Sequence, residues 1–465
     1  MRRLPLLAAL ALVAGCTRAG PDYHPPVSGP ANAPAATGAF LSAQDKAFTD
    51  EPLPDHWWRL YADPRLDALV AQALAANADL RAADANLRRA EAVVRQTEAT
   101  RQLTTDLSGG GTLARPSGTG ATLPGTLGYN LGISVGYPLD VRGKIARAIE
   151  ASLADRDAVA AARDAVRVSV AAATARAYAD ICAANFRLAT TQRIVSLQRQ
   201  TFSATQRLQR AGRGTAFDVT RAQAAVQTSE ANLPIFTAQR RAGLYTLAAL
   251  LGRPAADYPR EIESCAALPV LPRPMPVGDG AAMLRRRPDI RQAERTIAGD
   301  TARIGVATAD LYPQISLGGS AGLSGALDKL GSPTSFGFSL GPLISWSFPN
   351  RPAVRARIDA AGAQVDADLA KFDSTVLSAL RDTETALETY ARDRDQAEAL
   401  RRARDSAATA ADQAGRLFRF GRSDFLSLLS AQSSLAQAEA SYATAQAKLP
   451  DDQIAIFLAL GGGWE

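Results

Sequence analysis

The chain has 465 residues, 47% of them hydrophobic and 6% aromatic, with 35 Gly, 26 Pro, 3 Cys and 2 His. Zinc sites and imidazole acid/base chemistry draw on clustered His and Cys; here His24 and His56 both precede the first long helical stretch and the cysteines stand apart at Cys16, Cys182 and Cys265, which excludes most metallohydrolase and Cys/His-nucleophile classes. The formal charge of +6 leaves 52 Lys+Arg interleaved with 46 Asp+Glu, as in 285–295, so no basic block marks a nucleic-acid partner.

Residues 1–15 read as an export signal: a basic Met1-Arg-Arg start, an apolar stretch from Leu4 to Val13 too short to span a bilayer, and small residues before Cys16. Cys16 is either a site of lipid attachment after cleavage or incidental to a plain secretory signal. In an oxidising compartment Cys182 and Cys265 are either paired or free, and their separation in sequence does not decide it.

The sequence then repeats itself. A shift of 209 or 210 residues sets Asp79-Leu-Arg-Ala-Ala83 against Asp289-Ile-Arg-Gln-Ala293, Leu107 against Leu317, and Tyr137 against Trp346. It also sets Arg207-Leu208, Gly212 and Ala222-Gln223 against Arg416-Leu417, Gly421 and Ala431-Gln432. The repeats take residues 63–252 and 281–465, joined by a Pro-rich connector at 253–280.

Each repeat opens with a helical stretch, 66–101 and about 280–311, read as one helix each from the spacing of Leu66, Leu69, Val70, Ala73 and Leu74. A β-hairpin follows, at about 102–139 and 313–348. Period-two alternation is strongest at 129–139 and 336–348, where apolar residues such as Leu131, Ile133, Phe338 and Leu340 alternate with Gly, Ser or Asn. Weaker alternation marks 103–112 and 314–324. Strands of about 9–11 residues cross a bilayer when tilted, so four spanning strands are expected, the apolar face toward lipid and the Gly/Ser face toward a water-filled lumen. Two hairpins on a soluble sheet are the alternative. Tyr129, Tyr137 and Trp346 suit a membrane-interface girdle.

Open sheet edges are not tolerated in lipid and bacterial barrels start at eight strands, so four strands per chain require an oligomer. Two copies give eight strands and a filled interior, three give twelve and four sixteen, only the larger numbers leaving a lumen, and closure by three fits best. After each hairpin, 142–211 and 353–420 run without proline. Seventy residues at a rise of 1.5 Å make a rod of about 105 Å, too charged for a membrane and therefore projecting into an aqueous compartment. Gly212 and Gly421 stop these helices, and Asp218 and Asp424 are expected in the first turns of helices returning to about Leu251 and Leu460.

Taken in order, the run Leu12-Val-Ala-Gly-Cys16, then Gly20-Pro-Asp-Tyr23, Trp57-Trp58, Asp63-Pro64 and Asn77, together with the duplication, resembles the TolC-like outer-membrane efflux channels, specifically the NodT/OprM-like lipoprotein branch. The resemblance covers nearly the whole mature chain. It implies an α+β membrane protein, internally duplicated, mostly a long α-helical coiled-coil barrel, with four β-strands per chain contributing to a trimeric 12-stranded transmembrane β-barrel. Residues 16–62 become a lipidated N-terminal segment and equatorial region. The implied setting is the outer membrane of a Gram-negative bacterium, lipid-anchored through Cys16, with the helical tunnel in the periplasm. The implied partners are two further copies, a periplasmic adaptor protein, an inner-membrane pump of the resistance-nodulation-division class and the lipid bilayer. No cofactor is expected beyond the covalent lipid on Cys16, and no catalytic or metal-ligating residue.

Function then means passive conduction of exported compounds and gating at the periplasmic helical tips. Candidate gate residues are Asp218, Arg221, Arg419, Arg422, Asp424, Ser427 and Ser430. Ser427 and Ser430 stand where family members often carry acidic residues, and Asp218 is expected to pair with Arg422 or Arg419 across neighbouring helices. An adaptor would show one helical hairpin with lipoyl domains, a surface hydrolase a convergent nucleophile set, and a coiled-coil adhesin no interrupting β-hairpins; the chain shows none of these patterns.

Overall fold

The computed structural model describes residues 18–114, 125–265, 267–348 and 351–462; Cys16 lies outside them. Helices of seven residues or more and the strands of one sheet organise these residues. They are α1 (Pro64–Ala76), α2 (Ala78–Ala99), β1 (Thr104–Ala114), β2 (Thr126–Leu139), α3 (Lys144–Arg210), α4 (Ala216–Glu230), α5 (Leu233–Leu250), α6 (Gly280–Arg286), α7 (Pro288–Ala309), β3 (Gln314–Ala326), β4 (Phe336–Ser345), α8 (Arg351–Arg419) and α9 (Phe425–Ala459). Among the described residues no helix is long and apolar enough to cross a membrane.

The opening helix of each repeat differs from the expectation of one continuous rod. In the first repeat the break falls at Asn77, whose extended backbone ends α1 and whose Oδ1 accepts the N–H groups of Asp79 (2.9 Å) and Leu80 (3.1 Å) at the start of α2. In the second it falls at the equivalent Arg287, forced out of the helical region by Pro288. The helix expected to return to Leu251 is likewise split. Pro234 near the start of α5 cannot donate into the preceding turn, so α4 stops at Glu230.

The chain divides into two compact units. Among the described residues, one gathers those up to Pro26 with Asn86–Ala160 and Gln292–Phe372; the other gathers Val27–Ala85, Ala161–Arg291 and those from Asp373 on. The first holds the sheet. It also holds a strap, residues 18–26, clamped by Arg147, whose side chain is 2% exposed. Arg147 donates to the carbonyls of Ala19 (3.0 Å) and Gly20 (3.4 Å) and to the carboxylates of Asp22 (2.6 Å) and Glu150 (2.8 Å), holding the Asp22 carboxyl below its usual range. Gly305 is required beneath it, since a Cβ there would lie 2.7 Å from the Ala19 carbonyl oxygen.

The second unit has its core where α3 meets the returning chain. Tyr178, Ile181 and Cys182 of α3 are fully buried, as are Leu244 and Leu247 of α5. Gly243 lets α5 close onto α3, for a Cβ would sit 2.8 Å from Ile181. Trp57 stacks on Phe457 of α9 with centroids 4.6 Å apart. Phe48–Thr49 pairs in parallel with Met275–Pro276, joining the N-terminal segment to the connector. Cys182 and Cys265 are bonded, with Cα atoms 4.9 Å apart at a sequence separation of 83. The disulfide fastens the connector to α3, and Asn185 adds hydrogen bonds to the carbonyls of Glu263 (2.9 Å) and Cys265 (2.5 Å).

Candidate functional site

The four strands form one antiparallel sheet in the order β1-β2-β3-β4. Its register aligns the period-two pattern of every strand: Leu107 faces Ile133, Ile133 faces Ala321 and Ala321 faces Phe338. One face is therefore apolar but for Thr105 beside Val135. It is also bare, with Leu107 80%, Phe338 78% and Leu340 85% exposed. The opposite face carries Ser108, Asn130, Ser134, Ser320 and Ser339, the last two joined by a 2.9 Å hydrogen bond, with Leu343 its one large apolar residue. Gly322 is needed where β3 approaches β2, since a Cβ would lie 2.6 Å from the Leu131 carbonyl oxygen. Asp106, on the polar face, is the only Asp, Glu, Lys or Arg in the four strands. Among the described residues β1 and β4 are open edges of the sheet, without a further strand beside them.

The helical turns are the second feature, all within the second unit. α3 ends where Gly212 turns left-handed (φ 69°) and the Arg213 N–H reaches back to the Leu208 carbonyl at 2.9 Å; α8 ends the same way at Gly421 (φ 67°), with the Arg422 N–H on Leu417 at 2.9 Å. Both are Schellman stops, which satisfy helix-end carbonyls. The following N-termini are capped by exchanged residues. In the first turn Thr215 is the N-cap and Asp218 the third helical residue: the Asp218 N–H donates to Thr215 Oγ1 (3.1 Å) and the Thr215 N–H donates to the Asp218 carboxylate (3.1 Å). In the second, Asp424 is itself the N-cap, accepting the Ser427 N–H at 2.7 Å and its hydroxyl at 3.2 Å. Asp424 thus lies one position before the first turn, where the sequence reading had placed it. The Ser427 N–H holds its carboxyl below the usual range.

The remaining candidates fall around these caps. The Arg221 guanidinium lies 5.4 Å from the Phe217 ring centroid, Arg419 Nε donates weakly to the Gly415 carbonyl (3.4 Å), and Arg422 and Ser430 are exposed. Among the described residues neither Arg419 nor Arg422 pairs with Asp218 within the chain; its carboxylate serves the capping box. Sequence reasoning missed a cleft of about 430 Å³ beside these turns, lined by α3, α8 and α9 through Thr201, Ala411, Phe418, Leu428 and Gln432. Gln432 donates to Thr201 at 2.8 Å, and among the described residues neither its Oε1 nor that of the buried Gln198 has a hydrogen-bond partner. It also missed a carboxyl pair. Asp452 on α9 is 8% exposed beside Asp393 of α8, which Lys448 pairs with; burial and then the hydrogen bond with Asp393 push Asp452 up to about 7.

A sheet bare and apolar on one face and polar on the other, set in a chain of helices about 100 Å long by their residue count, defines a class: outer-membrane channels. The outer membrane efflux protein family model matches residues 69–253 and 281–462, and the chain belongs to that family. It is 31% identical over 459 residues to nodulation protein T of Rhizobium leguminosarum bv. trifolii, covering 97% of this chain and 96% of that one. It is 28% identical over 476 residues to the solvent efflux pump outer membrane protein SrpC of Pseudomonas putida, covering 100% and 98%. Among solved structures it is similar to the outer-membrane channel OprN, with TM-score 0.88 and 33% identity over 96% of this chain and 99% of that one. It is similar too to the open state of the Neisseria gonorrhoeae MtrE outer membrane channel, with TM-score 0.82 and 25% identity over 96% and 98%.

Proposed function

We propose that three copies of this chain close their sheets into one 12-stranded barrel in the outer membrane and serve as the exit duct of a tripartite efflux assembly. The duct passes compounds delivered by a periplasmic adaptor and an inner-membrane pump of the resistance-nodulation-division class. The observation that carries this reading is the sheet: its bare apolar face suits lipid, and its two open edges need partners that only further copies supply. The roles of these relatives agree, SrpC being named for a solvent efflux pump. Acyl chains on Cys16 would hold the N-terminus at the membrane surface, each buried methylene contributing about 0.8 kcal/mol. No bond is made or broken in conduction.

Closure belongs to the turns. Asp218, Arg221, Arg419, Arg422, Asp424, Ser427 and Ser430 form the gate region, and Asp218 of one copy meets Arg422 or Arg419 of its neighbour when the mouth is shut. Asp218→Asn separates gate from cap, because an amide still accepts the Thr215 N–H while the charge is lost. Purified protein in a planar bilayer should show discrete conductance steps, and the Asn variant several-fold larger resting steps. No steps at all would contradict the duct, and unchanged steps would remove Asp218 from the gate.

A further inference from the structure

The two turns carry more positive charge than helix capping requires. Arg207, Arg210 and Arg213 recur at the equivalent Arg416, Arg419 and Arg422, and all six are exposed. Arg221 adds a seventh, while residues 206–223 and 415–432 hold only two carboxylates, Asp218 and Asp424. Cations are favoured at helix C-termini, which accounts for Arg207 and Arg210 in the last turn of α3 and Arg416 and Arg419 in that of α8. Arg416 is further paired with Asp412 at 2.6 Å. That explanation fails for Arg213 and Arg422. Each follows the left-handed glycine, outside the helix, and among the described residues neither guanidinium has a partner. It fails also for Arg221, which lies near the positive end of α4.

We infer that the mouth encircled by these turns selects anions, so that the compounds this duct favours are negatively charged. This rests on the reading above that the turns of three copies surround a conduit. Threefold repetition would place the same excess of guanidinium groups around one opening, where charge of a single sign concentrates counter-ions and repels co-ions. Screening over about 8 Å at physiological salt confines the effect to a narrow passage. One Asp218–Arg pair per copy in the shut mouth leaves the excess positive, since each copy brings seven arginines against Asp218 and Asp424, so selection is strongest when the passage is narrow.

The test is the reversal potential of the purified protein in a planar bilayer under a KCl gradient of about 0.01 M against about 0.1 M, where screening extends over tens to about ten ångströms. The wild type should reverse on the chloride side. The pair Arg213→Gln and Arg422→Gln, which spares the helix-end arginines, should shift the potential toward zero, and the pair Arg213→Lys and Arg422→Lys should retain it. A wild type that passes potassium as readily as chloride overturns the inference while leaving the duct intact, and its sign decides even if the glutamine pair fails to assemble. A shift equal in the Lys and Gln pairs, or absent in the Gln pair, also overturns it. A protein that forms no conducting trimer removes the duct reading, and the inference falls with it.

Discussion

Asp452 shows how one buried carboxyl reports on packing. Burial against α8 and the neighbouring Asp393 make its ionised form costly, while Lys448 and Asp451 lie close by on α9. In the unfolded chain it would release its proton near the ordinary Asp value of 3.8; in the fold it keeps it to about 7. The folded state therefore binds more protons between these values, and stability contributed by the protonated group is lost as pH rises through about 7. The thermal midpoint of the wild type in detergent should fall from pH 5 to pH 8, and Asp452→Asn should flatten that slope. An unchanged slope would mean that Asp452 does not titrate there. Nothing in the sequence marks this residue, since its partner Asp393 is on another helix. The disulfide was equally illegible, because a sequence separation of 83 carries no distance. Gly212 and Gly421 were legible: a left-handed helix stop requires a residue without a Cβ. The exchange of Thr215 and Asp218 for Asp424 and Ser427 became clear only once the hydrogen bonds assigned each its position.

Among the elements, the strands were the most legible, because a period of two can be read from residue type alone and sheet register preserves it. The hairpin edges moved by only a few residues, with β4 ending at Ser345 before Trp346 and Phe348. Helix continuity was less legible. α9 runs on through Pro450, whereas Pro288 and Pro234 sit at helix starts, and the same residue type gives opposite outcomes by its place in the turn. The two-faced sheet makes a directional prediction. Leu131→Arg places a charge on the apolar face, at a cost of about 2–4 kcal/mol per site near a bilayer midplane, and should abolish the detergent-resistant oligomer. Ser134→Arg, three residues on and on the opposite face, should leave it assembled. Equal loss in both, scored by native electrophoresis of membrane extracts, would contradict the assignment of faces.

At the scale of the whole molecule, the duplication visible in the sequence reappears as paired elements: helix, hairpin, long helix and returning helix, twice, with the breaks at Asn77 and Arg287 in register. One copy leaves the apolar face bare and two edges open, so the physics of the single chain points beyond it to an assembly. What the sequence could not supply was the packing within each unit, such as the Arg147 clamp on the strap, since those contacts join residues more than a hundred positions apart. The most direct measurement is the native mass of the protein extracted from outer membranes in mild detergent, read together with the mass of covalent lipid. The account predicts three chains, each acylated. A folded monomer would contradict it, for the four strands would then belong to a sheet that needs no partner.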